Sequence, residues 1–514
     1  ASVAQALVPG MTYRVVKDGQ PSNPIRIGFA SAPIVPAEET GGPQEVTIPA
    51  EIHGRFEEAG DLDRFEFLAS KESPLWIECL SDRLRPGCDP LVLVEQISTD
   101  DQGRETTKEV GSSDDAGSSG DRRFPISTRD AALAFTPPAD GRYRMTVINQ
   151  AGRGGPAALY RLIVRPLRPH LDLVALPWPA VQPDKQANRI PALLRRGGST
   201  ALRVFILRRE GFSADLTLEA QGLPPGVTCE PIIVRPGATS ATLYLHAGEQ
   251  ADDWDGFITL HGRHGETITA ARAGALSWPV GNWDNERTRA RLSTRLPLSV
   301  RTEAAPVTIA AFEKSRWEVP LNGTIEIPVK LVKHGPVKGD FTVEPAGLPY
   351  AKNRPQVKIK ESENEGKVSL VFKKTNEFPI VPGEWQFVLQ ASGIVKHRDN
   401  IAGLEAAEAE KTRLTELETR LLEEAKQARG AVGPAKAAAE QAQKNLAAAS
   451  PEARTALETK AAETRAALEA AEQQAQAAEE RAKQATAEKK TAEGRAKQAA
   501  DRAKVTDRRY LTHS

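Results

Sequence analysis

The chain has 514 residues, 68 Lys plus Arg and 68 Asp plus Glu, for a formal charge of +0. That length excludes a single hydrophobic core, and the charge balance gives no pull toward nucleic acid or an anionic membrane surface. Three cysteines, Cys79, Cys88 and Cys229, are too few for a disulfide framework.

Residues 1–34, with "PGMTYRVVKDGQPSNPIRIGFA", read as the last two strands of a β-sandwich whose beginning is absent. The start, "ASVAQALVPGMTYRV", has no basic n-region and no apolar h-region, so any signal peptide is expected to be already removed or to lie upstream. No run of 18 apolar residues exists, so no direct membrane span is expected.

From the start to about residue 396 the chain reads as short alternating strands with Pro and Gly punctuation, such as "RYRMTVI", "LRVFIL" and "IEIPVKLV". Proline-rich joints at 30–43, 164–170 and 302–308 divide this region. The first block, 44–166, contains "GDLDRFEF" (60–67), where Asp61 and Asp63 stand two apart. Gly60 and Asp61 suit a turn, Asp63 can bond nearby backbone amides, and Phe65 and Phe67 share the core face of a strand with Arg64 and Glu66 opposite. The two aspartates therefore predict strand entry rather than acid–base chemistry. Within the same block, "CLSDRLRPGC" either closes one local disulfide loop in an oxidising compartment or holds two buried, idle thiols. Asp114, Asp115 and Asp121 in "GSSDDAGSSGD" either ligate calcium or simply solvate a surface loop.

The blocks 168–300 and 305–400 predict two sandwiches of one type. "RREGFSADLTLEAQGLPPGV" (208–227) aligns with "VKHGPVKGDFTVEPAGLPYA" (332–351), and Gly222-Leu223-Pro224 is answered by Gly347-Leu348-Pro349. Each copy needs glycine for positive φ and proline for fixed φ between two strands.

At 401–507 the composition turns to Ala, Glu, Gln, Lys and Arg, all strong helix formers. A seam in 4-3 alternation runs through Leu457, Ala461, Thr464, Leu468, Ala471, Ala475, Ala478, Ala482, Ala485, Lys489, Ala492, Ala496, Ala499 and Ala503. It is matched by Leu404, Ala407, Leu414, Leu417, Leu421, Ala425 and Ala428. Heptad spacing predicts an antiparallel, left-handed helical hairpin turning at "ASPEA" (449–453), with Ser450 as N-cap and Pro451 at the first helical position. "GAVGP" (430–434) predicts a kink or bulge in the outgoing arm. The closing "VTDRRYLTHS" reads as a return to the β region, so the last strand of the second repeat sandwich falls after residue 505 if the helices interrupt it.

The usual constellations of chemistry are incomplete. "HGRH" (261–264) has metal-like spacing without the glutamate of a zincin motif. "INQAGRGGPA" has near-dinucleotide glycine spacing but leads into another strand and reads as a hairpin loop. "ENEGKVS" has Glu361 where a phosphate loop needs glycine.

Taken together, "VTIPAEIHGRFEEAGDLDRFEF", "CDPLVLV", "DAALAFTPPADGRYRMTVINQ" and "YRLIV" resemble the bacterial pre-peptidase C-terminal domain, a β-sandwich appended to secreted peptidases and common in planctomycete surface proteins. Residues 168–400 resemble the Ig-like repeats that follow it there, where "GF" then "GLPPGV" recurs. The resemblance implies export to the periplasm or cell surface, a modular stalk-like architecture and no catalytic residues of its own. The expected fold class is mainly β, tandem sandwiches plus a C-terminal coiled-coil hairpin. The expected function is a non-enzymatic structural, adhesive or assembly protein whose partners are proteins, reached through the hairpin or an open sheet edge; the alternative is an accessory binding region of a larger secreted hydrolase. No cofactor is expected unless the acidic loop takes calcium.

Overall fold

A computed structural model describes residues 3–23, 25–39, 41–84, 87–121, 124–178, 192–277, 289–311, 316–398, 401–451 and 453–514. The chain is mainly β with two long helices, and it divides into two compact units, 1–394 with 509–514, and 395–508.

The N-terminal segment carries α1 (Val3–Leu7), β1 (Gly10–Tyr13), β2 (Val16–Lys17), β3 (Gln20–Pro21), β4 (Ile25–Gly28) and β5 (Ile34–Pro36). In place of two sandwich strands, β1 and β4 pair in a two-stranded sheet of their own, and β2 and β3 make another. Leu7 of α1 packs with Val174 and Phe205 of the first repeat sandwich.

Eleven strands follow: β6 (Gln44–Glu45), β7 (Ala50–Arg55), β8 (Leu62–Ala69), β9 (Leu75–Leu80), β10 (Pro90–Thr99), β11 (Glu105–Ser113), β12 (Ser118–Asp121), β13 (Phe124–Ser127), β14 (Ala131–Phe135), β15 (Gly141–Asn149) and β16 (Leu159–Pro166). Together with β5 they build two five-stranded sheets, β11-β10-β15-β8-β6 and β14-β9-β16-β7-β5, with β12 and β13 paired separately. Period-2 alternation aims Phe65, Phe67, Tyr143, Met145 and Val147 from one sheet, and Ile77, Cys79, Tyr160 and Leu162 from the other, into one core. Each such large side chain contributes about 1.5–3 kcal/mol on burial. The loop "AGRGGPA" joins β15 to β16 across the two sheets, so it is a sheet crossing and not the expected hairpin loop.

The first repeat sandwich comprises β17 (His170–Trp178), β18 (Ala192–Arg196), β19 (Ser199–Arg209), β20 (Leu216–Gln221), β21 (Val227–Cys229), β22 (Ile232–Val234), β23 (Ser240–Ala247), β24 (Trp254–His264), β25 (Thr267–Ala270), β26 (Arg272–Ser277), β27 (Arg289–Ser293) and β28 (Leu296–Ala304). The second comprises β29 (Val307–Ala311), β30 (Thr324–Lys333), β31 (Val337–Ala346), β32 (Val357–Ile359), β33 (Glu365–Val371) and β34 (Val388–His397). Its sheets, β29-β30-β33 and β32-β31-β34 with a further strand, repeat the order β17-β19-β23 and β22-β20-β24-β28 of the first. The shared turns have the backbone that their glycines allow: Gly222 has φ +77° and Gly347 φ +109°.

Two helices follow, α2 (Ile401–Ala447) and α3 (Arg454–Arg502), then β35 (Thr506–His513). β35 lies beside β34, the position that β28 holds beside β24 in the first copy. The helices are therefore an insertion between the last two strands of the repeat.

The hairpin turns where the sequence indicates, but its cap differs. Ala453 occupies the N-cap position without a side-chain bond, and Ser450 contributes only its carbonyl, which accepts the Ala453 N–H at 3.2 Å. Gly430 to Pro434 does not interrupt α2, which runs unbroken through Pro434. Proline there deletes one helical donor, and Gly430, whose carbonyl loses that bond, is exposed so water can replace it.

The alanine seam is buried as spaced: Ala461, Ala475, Ala482, Ala485, Ala492, Ala496, Ala499 and Ala503 all lie inside, facing Leu414, Ala425 and Ala442. Leu417 lies half-buried on the expected stripe, and the adjacent Glu418, which the stripe did not include, is buried between Leu414 and Ala425. Its Oε2 accepts from Lys489 Nζ at 2.7 Å, so the one cation in the seam of α3 is answered by an anion in that of α2.

Candidate functional site

"GDLDRFEF" begins at a turn. Gly60 has φ +84°, and Asp61 Oδ2 accepts the Glu57 N–H at 2.7 Å, as strand-entry punctuation requires. Asp63 does something the local sequence does not reveal. It is the second residue of β8, 8 % exposed, and its Oδ2 accepts from the Tyr160 hydroxyl at 2.6 Å instead of from backbone amides. Tyr160 reaches it across the sandwich because residue 54 is glycine: a Cβ there would lie 2.3 Å from the Tyr160 hydroxyl. Burial pushes the Asp63 carboxyl up to about 6, opposed by the Tyr160 bond and assisted by Asp61, Glu39 and Glu57 nearby. Glu66, expected on the solvent face, is buried too, because Arg142 and Arg144 of β15 both reach it, with Arg144 Nε at 2.9 Å.

The acidic loop is brought to a second carboxylate by strand register. β10 pairs with β11 so that Val92 faces Ser113. The residues just outside that end of the ladder, Asp89 on one strand and Asp114 and Asp115 on the other, meet with carboxylate oxygens within 4.8 Å of one another. Asp89 is half-buried and held in place, its N–H donating to Asn149 Oδ1 at 2.9 Å and its carbonyl accepting from the Gln150 N–H at 2.8 Å. Burial raises its carboxyl; Arg129, 3.7 Å away, works against this, and Asp114 and Asp115 add to it. Three carboxylates at this spacing have the chemistry of a hard-cation site, and Arg129 already supplies part of the counter-charge. The backbone of Asp121 belongs to β12, paired with Phe124, and its side chain lies outside the described residues.

The remaining candidates separate. His261 and His264 stand three apart on β24, on opposite faces of the strand. His261 Nε2 bonds Thr259 Oγ1 at 3.0 Å and His264 Nδ1 the Asp215 carbonyl at 3.0 Å. The three thiols are free, Cys79 and Cys88 buried and Cys229 half-buried. No helix among the described residues is long and apolar enough to cross a membrane.

Sequence reading missed two buried polar joints. Arg165, at the end of β16, makes two bonds to Glu210 at 2.7 and 2.5 Å, and the Arg168 N–H adds a third at 2.6 Å, tying the first sandwich to the turn after β19. His513 on β35 is 4 % exposed: its Nδ1 lies 3.1 Å from Ser199 Oγ, its ring sits against Tyr244, and its Nε2 is buried without a partner among the described residues. Burial, with His246 adding to it, lowers His513 to about 3. The only sequence signal for either was a charged or imidazole side chain beside strand residues.

No family model matches the chain, and no curated protein matches it in sequence. Among solved structures, the pre-peptidase C-terminal domain of a collagenase from Bacillus anthracis is similar at 17 % identity and a TM-score of 0.18, over 24 % of this chain and 95 % of that one. CBD12 from CALX1.2 is similar at 11 % identity and a TM-score of 0.13, over 39 % of this chain and 75 % of that one. At these scores neither likeness assigns a domain or a role.

Proposed function

We propose that this chain is a non-enzymatic, exported structural or assembly protein in which tandem β-sandwiches carry a coiled-coil hairpin that contacts protein partners. The hairpin carries the reading. Helices of 47 and 49 residues bury a thin alanine seam between themselves and leave almost all their Glu, Lys and Arg in water. A fold gains little stability from so long an insertion, because alanine buries little area and exposed ion pairs such as Lys411–Glu408 or Arg465–Glu469 contribute a few tenths of a kcal/mol each. What the insertion does provide is two charged helical faces about 70 Å long at 1.5 Å per residue. The resemblance of "GDLDRFEF" and "PADGRYRMTV" to pre-peptidase C-terminal domains supports export. The raised carboxyl of Asp63 is engaged in a contact that holds the fold, the bond from Tyr160, which supports scaffold over catalysis.

The test replaces residues 402–504 with a short Gly-Ser linker, which rejoins β34 to β35. Light scattering of both forms is expected to show the intact chain associating, with itself or with captured partner, and the shortened chain monomeric. Unchanged association after the deletion overturns the proposal.

A further inference from the structure

We propose that Cys79 and Cys88 are a disulfide site, closed when the chain folds in an oxidising environment, that staples the two sheets of the first sandwich. Cys79 is the fifth residue of β9, in one sheet, and Cys88 stands two residues before β10, in the other. Both side chains belong to one hydrophobic core, at 0 % and 5 % exposure. Asp130 fixes the chain directly after Cys79: its carboxylate accepts the N–H of Ser81 at 2.7 Å, of Asp82 at 2.6 Å and of Arg83 at 3.2 Å. Arg83 Nε closes on the same group at 2.5 Å. Cys79 is thereby held facing inward. At the other end Cys88 follows directly on Gly87, whose φ of +129° is a backbone conformation that glycine adopts readily. A disulfide needs the two Cβ atoms at roughly 3.8 Å.

Reactivity sets when the bond forms. In the folded chain Cys79 is pushed well above the usual thiol range by burial, and Asp130, Glu78 and Cys88 add to this. A buried, protonated thiol is a poor nucleophile, so the reduced fold oxidises slowly. During folding both thiols are exposed with ordinary acidity. One thiolate attacks a low-molecular-weight disulfide, releasing one thiol, and the second attacks the mixed disulfide, releasing the other. The protein loses two hydrogens and the small disulfide is reduced to two thiols. Once closed, the bond is buried and resists exchange. Cys229, on β21, has no such neighbour among the described cysteines and is an internal control.

The experiment refolds the full chain with a fixed ratio of oxidised to reduced glutathione, and in parallel with reductant alone. Thiols are then counted by alkylation under denaturing conditions, and the bonded peptide is identified by mass spectrometry. Bond formation in this assay does not depend on export, because the redox potential is set by hand. The expected result is one alkylated thiol, at Cys229, a 79–88 peptide two hydrogens lighter, and thermal unfolding of the first sandwich raised by several degrees. Three free thiols in the soluble refolded chain, or a bond involving Cys229, overturn the proposal. Cys79→Ser and Cys88→Ser serve as a second arm: each is expected to leave the other thiol alkylatable, and continued loss of the remaining thiol into a bond with Cys229 contradicts the assignment.

Discussion

Replacing Asp63 with asparagine should stabilise the first sandwich at neutral pH, the opposite of the usual effect of removing a hydrogen-bonded charge. The asparagine side chain would still offer a carbonyl oxygen to the Tyr160 hydroxyl, now 2.6 Å from Asp63 Oδ2, so packing and the bond survive. What disappears is the burial of an anion. With the carboxyl raised from 3.8 to about 6, the native state holds its proton over a window where the unfolded state has released it. Stability from this group is therefore fully present below pH 3.8 and is lost as pH rises through 6. At about 1.4 kcal/mol per unit the loss above pH 6 is ~3 kcal/mol. Hydrogen–deuterium exchange of β8 and β15 peptides, corrected for intrinsic rates, reads the opening free energy of this sandwich alone. The variant is expected to exceed the parent by ~2–3 kcal/mol at about pH 7.5 and by nothing at about pH 3.5, on the same linkage. A variant less stable than the parent at the higher pH, or a difference that does not change with pH, would refute the reasoning.

The repeat sandwiches should show the reverse slope: His513, lowered to about 3, stays neutral while the unfolded imidazole charges near 6.5, so stability falls by about 2 kcal/mol between pH 7 and 5, and exchange in β35 of a His513→Gln variant should lose that slope. Glu210→Gln leaves the Arg165 guanidinium buried without its anion and should cost about 3–5 kcal/mol in urea unfolding, most of it recovered by adding Arg165→Met. In the hairpin, Glu418→Lys places a second ammonium against Lys489 and should lower the midpoint of the helical circular-dichroism melt, while the exchange Glu418→Lys with Lys489→Glu restores it.

Legibility followed the range of the interactions. The seam was readable because heptad spacing is local: every position from Leu457 to Ala503 in the 4-3 series lies at least half-buried. The strand after the hairpin was legible only as a return to the β region in "VTDRRYLTHS": Thr512 and His513 are adjacent and both buried, so no alternation marks it, and its place beside β34 comes from long-range pairing. Glu418 was missed because a seam read only for apolar residues takes Leu417 beside it, although Lys489 in the facing stripe was a sign that an acid should answer. Asp89 joins Asp114 and Asp115 only through the β10–β11 register, and Tyr160 meets Asp63 from 97 residues away. Proline in GAVGP predicted a break because isolated helices fail there. In the hairpin, the partner helix holds the backbone on both sides of it.

The central claim, that the hairpin is the contact surface, is tested most directly by photo-crosslinking. A photoreactive residue placed at exposed Glu423 on α2 or Glu463 on α3 is compared with one at exposed Lys367 on β33, in the intact chain under native conditions. Crosslinks to a second polypeptide are expected from the two hairpin positions, with background from Lys367. Background from both hairpin positions, with efficient crosslinking from the sandwich, would contradict the claim.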